Sequence, residues 1–183
     1  MNLFSLIASD YKKYSTYGGH FFSIFFFTQG FWAVFQYRVA HWCYTLKVPV
    51  VKQVLLLVCL FWQKCIEMLT GISIPYSVTI GHSFYIGHFG GIIINSNSVI
   101  GNNCNISQGV TIGVSGRDEK RGVPIIGNHV YIGANAVIAG KITVGDAALV
   151  GANSLVIDSV ESGVTVLGVP AKVISNNSSK GYI

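Results

Sequence analysis

A branched aliphatic residue returns every six positions through the second half of this chain. The stretch Ile94–Gly113 shows the phase most plainly, with Ile94, Ile100, Ile106 and Ile112 each followed by Gly or a small polar residue. Extended both ways, the same phase runs through Ile74, Ile80, Ile86, Ile126, Ile132, Ile138, Val144, Val150 and Val156. A period of six fits neither the 3.6 of a helix nor the two-residue alternation of a hairpin sheet. It fits strands of about four residues joined by tight turns. Three such units close a triangular coil, and coils stack at the strand spacing of about 4.8 Å.

The expected fold is therefore mainly β, a parallel β-helix of about four coils and roughly 20 Å tall over residues 71–174. The first residue of each unit must point inward. The fifth shares that interior and is small or moderate: Ser98, Cys104, Val110, Val130, Ala136, Ala148, Ser154. Gly81, Gly101, Gly127, Gly133, Gly145 and Gly151 follow inward residues, where the turn needs unusual backbone angles or a close approach.

Residues 1–70 have no such period. They read as apolar helices: one over 4–18 ending at Gly18-Gly19, an aromatic run Phe21–Phe35, and a third segment Val50–Trp62 interrupted by Lys52 and Gln53. As a helix, Phe21–Phe35 is about 22 Å long, short of a bilayer core of roughly 30 Å, and neither apolar run reads as a spanning helix. Six Lys and Arg against two acids give residues 1–70 a net charge of +4, while 71–183 carry six against five, +1. Few cations among long apolar runs do not make a nucleic-acid footprint. They suit a membrane interface, with packing against a second copy of the chain as the alternative. The membrane is the expectation, because so short a segment has too little polar surface to cover its aromatics. Cys43, Cys59, Cys65 and Cys104 have no metal or CxxC spacing, no secretory signal is evident, and a reducing compartment follows. Residues 175–183 read as a flexible polar tail.

The phase slips twice. At Gly87-His88-Phe89-Gly90-Gly91 two residues are added, and His88 is the third residue of its unit, with Gln108 its equivalent one coil on. The second slip, Val114–Pro124, extrudes a polar loop expected to wall a cleft near the stacked His88 and Gln108.

The run Gly87-His-Phe-Gly-Gly-Ile-Ile-Ile94, then Ile106-Ser-Gln-Gly-Val-Thr-Ile-Gly113, the closing Gly168-Val-Pro-Ala-Lys172, and Phe31–Trp42 together resemble the serine acetyltransferase branch of the hexapeptide-repeat acyltransferases. The resemblance implies trimers of left-handed β-helices, an exception to the usual right-handed crossover, with acetyl-CoA in the groove between subunits. It also implies His88 as the general base. An imidazole titrating near 6.5 can take the proton of an acceptor hydroxyl as that hydroxyl attacks the thioester. Gln108 and Ser73 join His88 as candidate catalytic residues. Gly113, Ala134, Ala152 and Lys172 are candidate acetyl-CoA contacts, with Arg117, Lys120 and Arg121 as further cations.

Three departures bear on the acceptor. The family's aspartate before the catalytic histidine is Gly87 here, the aspartate that partners the histidine is Ser73, and a loop histidine is Val123. The acceptor expected from these losses is a sugar hydroxyl in polysaccharide synthesis, at the cytoplasmic face of the inner membrane. Serine O-acetylation is the alternative, and an inactive trimeric membrane scaffold a second. No metal is expected, since the histidine spacing does not match a zinc site of the fold.

Overall fold

The computed structural model describes residues 1–183. Four helices precede the coil: α1 (Leu3–Thr16), α2 (Phe21–Phe27), α3 (Gln29–Thr45) and α4 (Pro49–Thr70). Asn2 caps α1 by accepting from the Ser5 amide at 2.8 Å, an orphan donor otherwise. The aromatic run is two helices, not one, because Thr28 adopts an extended conformation between them and its hydroxyl donates to the Ser23 carbonyl. The segment expected over Val50–Trp62 is α4, which runs eight residues beyond Trp62, to a left-handed Gly71 that stops it.

From Ile72 the chain winds through three parallel faces. Face A holds Ile72–Ser73, Ile92–Ile94, Thr111–Gly113, Val137–Ala139 and Leu155–Val156; face B holds Thr79–Ile80, Val99–Ile100, Ile125–Ile126 and Thr143–Val144. Face C holds Tyr85–Ile86, Asn105–Ile106, Tyr131–Ile132, Leu149–Val150 and Thr165–Gly168, closed by the antiparallel Ala171–Ser175. This is the expected left-handed parallel β-helix, with five rungs on face A rather than about four coils. Every inward position of the six-residue phase, from Ile74 to Val156, is buried, and they form one core with the apolar fifth-position residues. Each such Ile or Val contributes about 1.5–3 kcal/mol by leaving water.

The turn glycines do their work by close approach rather than by unusual angles. A Cβ on Gly81 would stand 2.4 Å from the Asn102 side-chain oxygen, and one on Gly127 2.4 Å from that of Asp146. The left-handed residues come two places later, at Ser83, Asn103, His129 and Ala147.

A stack of coils leaves its first strands with unpaired backbone groups. The helices close that edge. The Tyr37 hydroxyl donates to the Val78 carbonyl and accepts from the Ile80 amide, and Tyr14 does the same for both backbone groups of Ile86. Arg38 donates to the carbonyls of Ile80 and Gly81 while pairing, fully buried, with Asp10 at 2.8 Å. Asp10 in turn accepts from the Phe84 amide. The tail expected to be flexible is docked: Ser179 is buried with its amide on the Ala147 carbonyl, and Tyr182 packs on Tyr131.

Candidate active site

Register decides which residues meet at each corner of the prism. Ile86, Ile106, Ile132 and Val150 are successive partners on face C. Two residues beyond each lie His88, Gln108, Ala134 and Ala152, so these four form one column at the corner where face C turns into face A. Backbone bonds knit the column: the Gln108 carbonyl accepts from Asn135 and the Ala134 carbonyl from Asn153. The inserted Gly90 and Gly91 let the His88 turn fold over the next coil, since both have positive φ and Gly90 accepts from the Gly109 amide.

His88 is exposed at the head of this column. The rings of His41, His82 and His129 each hydrogen-bond a neighbour, whereas His88 bonds none. Its imidazole opens on two cavities. One, of about 200 Å³, is walled by Tyr17, Tyr85, Asn105, Ser107, Tyr131 and Tyr182. The other, of about 240 Å³, lies against Phe27–Gly30 and Phe89. Gly30, in the lining of the second, lets α3 lie against the strand, since a Cβ there would stand 2.2 Å from the Ile86 carbonyl oxygen.

Other predicted site residues lie elsewhere. Ser73 does not reach His88: its hydroxyl donates to the carboxylate of Glu67 at 2.8 Å. Burial pushes the Glu67 carboxyl up, but hydrogen bonds from Lys64, Ser73 and Gln63 outweigh it and hold the group below its usual value. Gly113 lies at the far end of its face A strand, across the width of that face from the column. The loop 114–124, with Arg117, Lys120 and Arg121, emerges where face A turns into face B, so in one chain it does not wall the His88 cleft. It borders a separate cavity of about 360 Å³ with Gly140, Lys141 and Ile157. The insertion sits one face, a third of a coil, after the column residue Gln108, and one face of a triangle leads to the next corner. Lys172 is exposed on the closing strand opposite Leu167, whose side chain meets Gly151 next to Ala152.

Sequence reasoning missed the aromatic wall. Tyr85 and Tyr131 precede inward isoleucines and share a register position with Asn105, so an outward column of large side chains beside His88 was there to be found. Asn105 is 3% exposed; its amide donates to the Tyr17 hydroxyl and the Tyr182 carbonyl, leaving its own oxygen without a partner.

The arrangement presents a free imidazole, a flanking row of small residues that an extended thioester can approach, and cavities for an acceptor. Residues 124–158 match the bacterial transferase hexapeptide (six repeats) family. The chain is 35% identical over 145 residues to the serine acetyltransferase of Synechococcus elongatus, covering 79% of this chain and 57% of that protein. To the serine acetyltransferase of Bacillus subtilis it is 33% identical over 160 residues, covering 87% and 70%. A serine acetyltransferase solved in complex with CoA superposes with a TM-score of 0.79 at 30% identity, covering 94% of this chain and 69% of that one. These likenesses overturn the expected sugar-hydroxyl acceptor and its polysaccharide branch: the kinship that spans most of the chain is with proteins named for serine.

Proposed function

Because the chain belongs to the serine acetyltransferase family, we propose that it transfers the acetyl group of acetyl-CoA to the hydroxyl of serine, with His88 as general base. The observation that carries the reading is the exposed, unbonded imidazole of His88 above the small-residue column of Ala134 and Ala152. His88 takes the serine hydroxyl proton as that oxygen attacks the thioester carbonyl carbon. The tetrahedral oxyanion then collapses, the carbon–sulfur bond breaks, and the imidazolium returns its proton to the leaving thiolate. The products are O-acetylserine and CoA, and no covalent enzyme intermediate forms. Gln108, next in the column, is proposed to touch the bound substrates, and Ala134, Ala152 and Lys172 to line the path of CoA.

Gly87, Ser73 and Val123 stand where the resemblance implies charged or imidazole side chains, so fewer polar groups hold the acceptor. A KM for serine at or above the upper end of the usual range, roughly 1 mM, is expected. The experiment is to mix chain, acetyl-CoA and serine and look for O-acetylserine by mass spectrometry. Its formation by the wild type and not by His88→Ala supports the reading; no product at saturating serine overturns it.

The same proposal includes a homotrimer, since a cleft walled by the loop 114–124 needs a second protomer. Residues 1–70 are proposed to seat the enzyme on the cytoplasmic membrane surface. Val50, Val54, Leu57, Val58 and Phe61 form an exposed apolar stripe along α4, the one helix long and apolar enough to span by length and composition, and Phe22 and Phe26 are exposed on α2. Both acids of the segment are engaged, Asp10 by Arg38 and Glu67 by Lys64, whereas Lys12, Lys47 and Lys52 have no carboxylate partner, which favours an anionic lipid surface. Flotation with anionic vesicles tests this; a chain that stays unbound contradicts it.

A further inference from the structure

A cavity larger than either of those at His88 lies elsewhere. It has a volume of about 480 Å³ and lies between α1 and the corner where face B turns into face C. Lys12 and Lys13 project into it from the helix, and His82, Asn103 and His129 from successive turns of the coil. No Asp or Glu side chain lines it. The two ion pairs of the chain, Arg38–Asp10 and Lys64–Glu67, lie elsewhere, so neither lysine is paired with a carboxylate.

The hydrogen bonds there have a direction. Lys13, only 8% exposed, donates to the backbone and side-chain oxygens of Asn103. An ammonium has no acceptor, so the Asn103 oxygen must face it and the amide nitrogen must face away, where it donates to His129 Nδ1 at 2.9 Å. That bond makes Nδ1 an acceptor and puts the proton of the neutral ring on Nε2. His82 likewise uses Nδ1, toward the Ser83 hydroxyl, and leaves Nε2 unengaged. No Asp or Glu side chain therefore accepts from the ammonium groups or the His129 Nε2–H, and Gly181 and Ile183 of the docked tail complete the lining. Burial lowers Lys13 to about 8, which still leaves it largely charged at neutral pH. The Asp10 charge opposes that lowering without reaching ion-pair distance, so an entering anion would supply the direct counter-charge that Lys13 lacks.

We propose that this cavity binds a phosphate group, free or carried on a small molecule, at a site distinct from the acetyl-transfer centre. A multivalent oxyanion matches several cations and a lining of donors, and the cavity shares only Tyr17 with the cavity that His88 and its aromatic neighbours line.

The test is calorimetric titration of the full chain with inorganic phosphate and with glucose 6-phosphate, chloride serving as control. Saturable binding of either phosphate probe is expected. Tighter binding of the ester would identify a phosphomonoester, and equal binding the ion itself. Lys12→Ala, at an exposed position that leaves the fold intact, should weaken binding roughly tenfold, the worth of one charge-assisted hydrogen bond. Lys12→Ala with His129→Ala should abolish it. Binding should persist in His88→Ala, and serine-dependent CoA release should be unchanged in Lys12→Ala, so it stands or falls apart from the acetyl-transfer reading. The proposal is overturned if neither probe binds or if the substitutions change nothing.

Discussion

Two corners of the prism use the same position of the six-residue unit for opposite ends. Two residues past the inward residue, the B-to-C corner carries His82, Asn102, Asn128 and Asp146, and the C-to-A corner carries His88, Gln108, Ala134 and Ala152. At the first, each side-chain oxygen accepts from the backbone amide one coil before it: His82 to Asn102 at 3.0 Å, Asn102 to Asn128 at 2.9 Å, Asn128 to Asp146 at 2.7 Å. That ladder joins coils and fills the corner. At the second, short or unbonded side chains leave the wall open and the imidazole free. A repeat that must hold itself together thus spends one corner on cohesion and leaves another clear for chemistry.

If the contrast is right, substitutions at the two corners separate activity from stability. The largest effect is expected for His88→Ala: turnover with serine falls by about 10²–10⁴-fold, the usual loss of a general base, while the melting temperature is unchanged. Asn128→Ala removes an acceptor and leaves the Asn102 amide unpaired. It should cost about 1–3 kcal/mol by denaturant titration without altering turnover. Ala134→Leu, in the open column, should raise the KM for acetyl-CoA roughly tenfold, the effect of a misfitting aliphatic group, and leave melting unchanged. The smallest effect concerns acid. The Asn128 backbone amide and side chain hold the Asp146 carboxyl below its usual 3.8. Its folded value lies below its unfolded one, so its contribution to stability is complete above the unfolded value and is lost as pH falls through the folded one. Asp146→Asn should therefore flatten the acid limb of the stability profile. Loss of folding in His88→Ala, or loss of turnover in Asn128→Ala, would break the comparison.

The repeat itself was legible because its cause is local. Each inward residue and each fifth position can be counted without knowing what lies beside it, and Ile74 through Val156 are all buried. The column His88, Gln108, Ala134, Ala152 was legible for the same reason: equal numbers of residues separate its members from the core. What failed to read through was side-chain pairing between distant segments. Asp10 and Arg38 lie 28 residues apart and close the edge of the first coil together. Nothing in the spacing of Glu67 and Ser73, on a helix end and a strand start, reveals that the hydroxyl is taken by the carboxylate. The docked tail depends on Asn105 and Tyr17 meeting Tyr182, contacts across the whole chain. The placement of the loop 114–124 was a different error, since counting corners from His88 would have put it on the A-to-B side. The acceptor was misjudged because three missing side chains were weighed above similarity along the rest of the chain.

One measurement bears most directly on the account: release of CoA thiol from acetyl-CoA on addition of serine, for wild type and His88→Ala at matched folded concentration. The account predicts serine-dependent release by the wild type and a fall of about 10²–10⁴-fold in the variant. Release that is independent of serine, or equal in the two proteins, would contradict it.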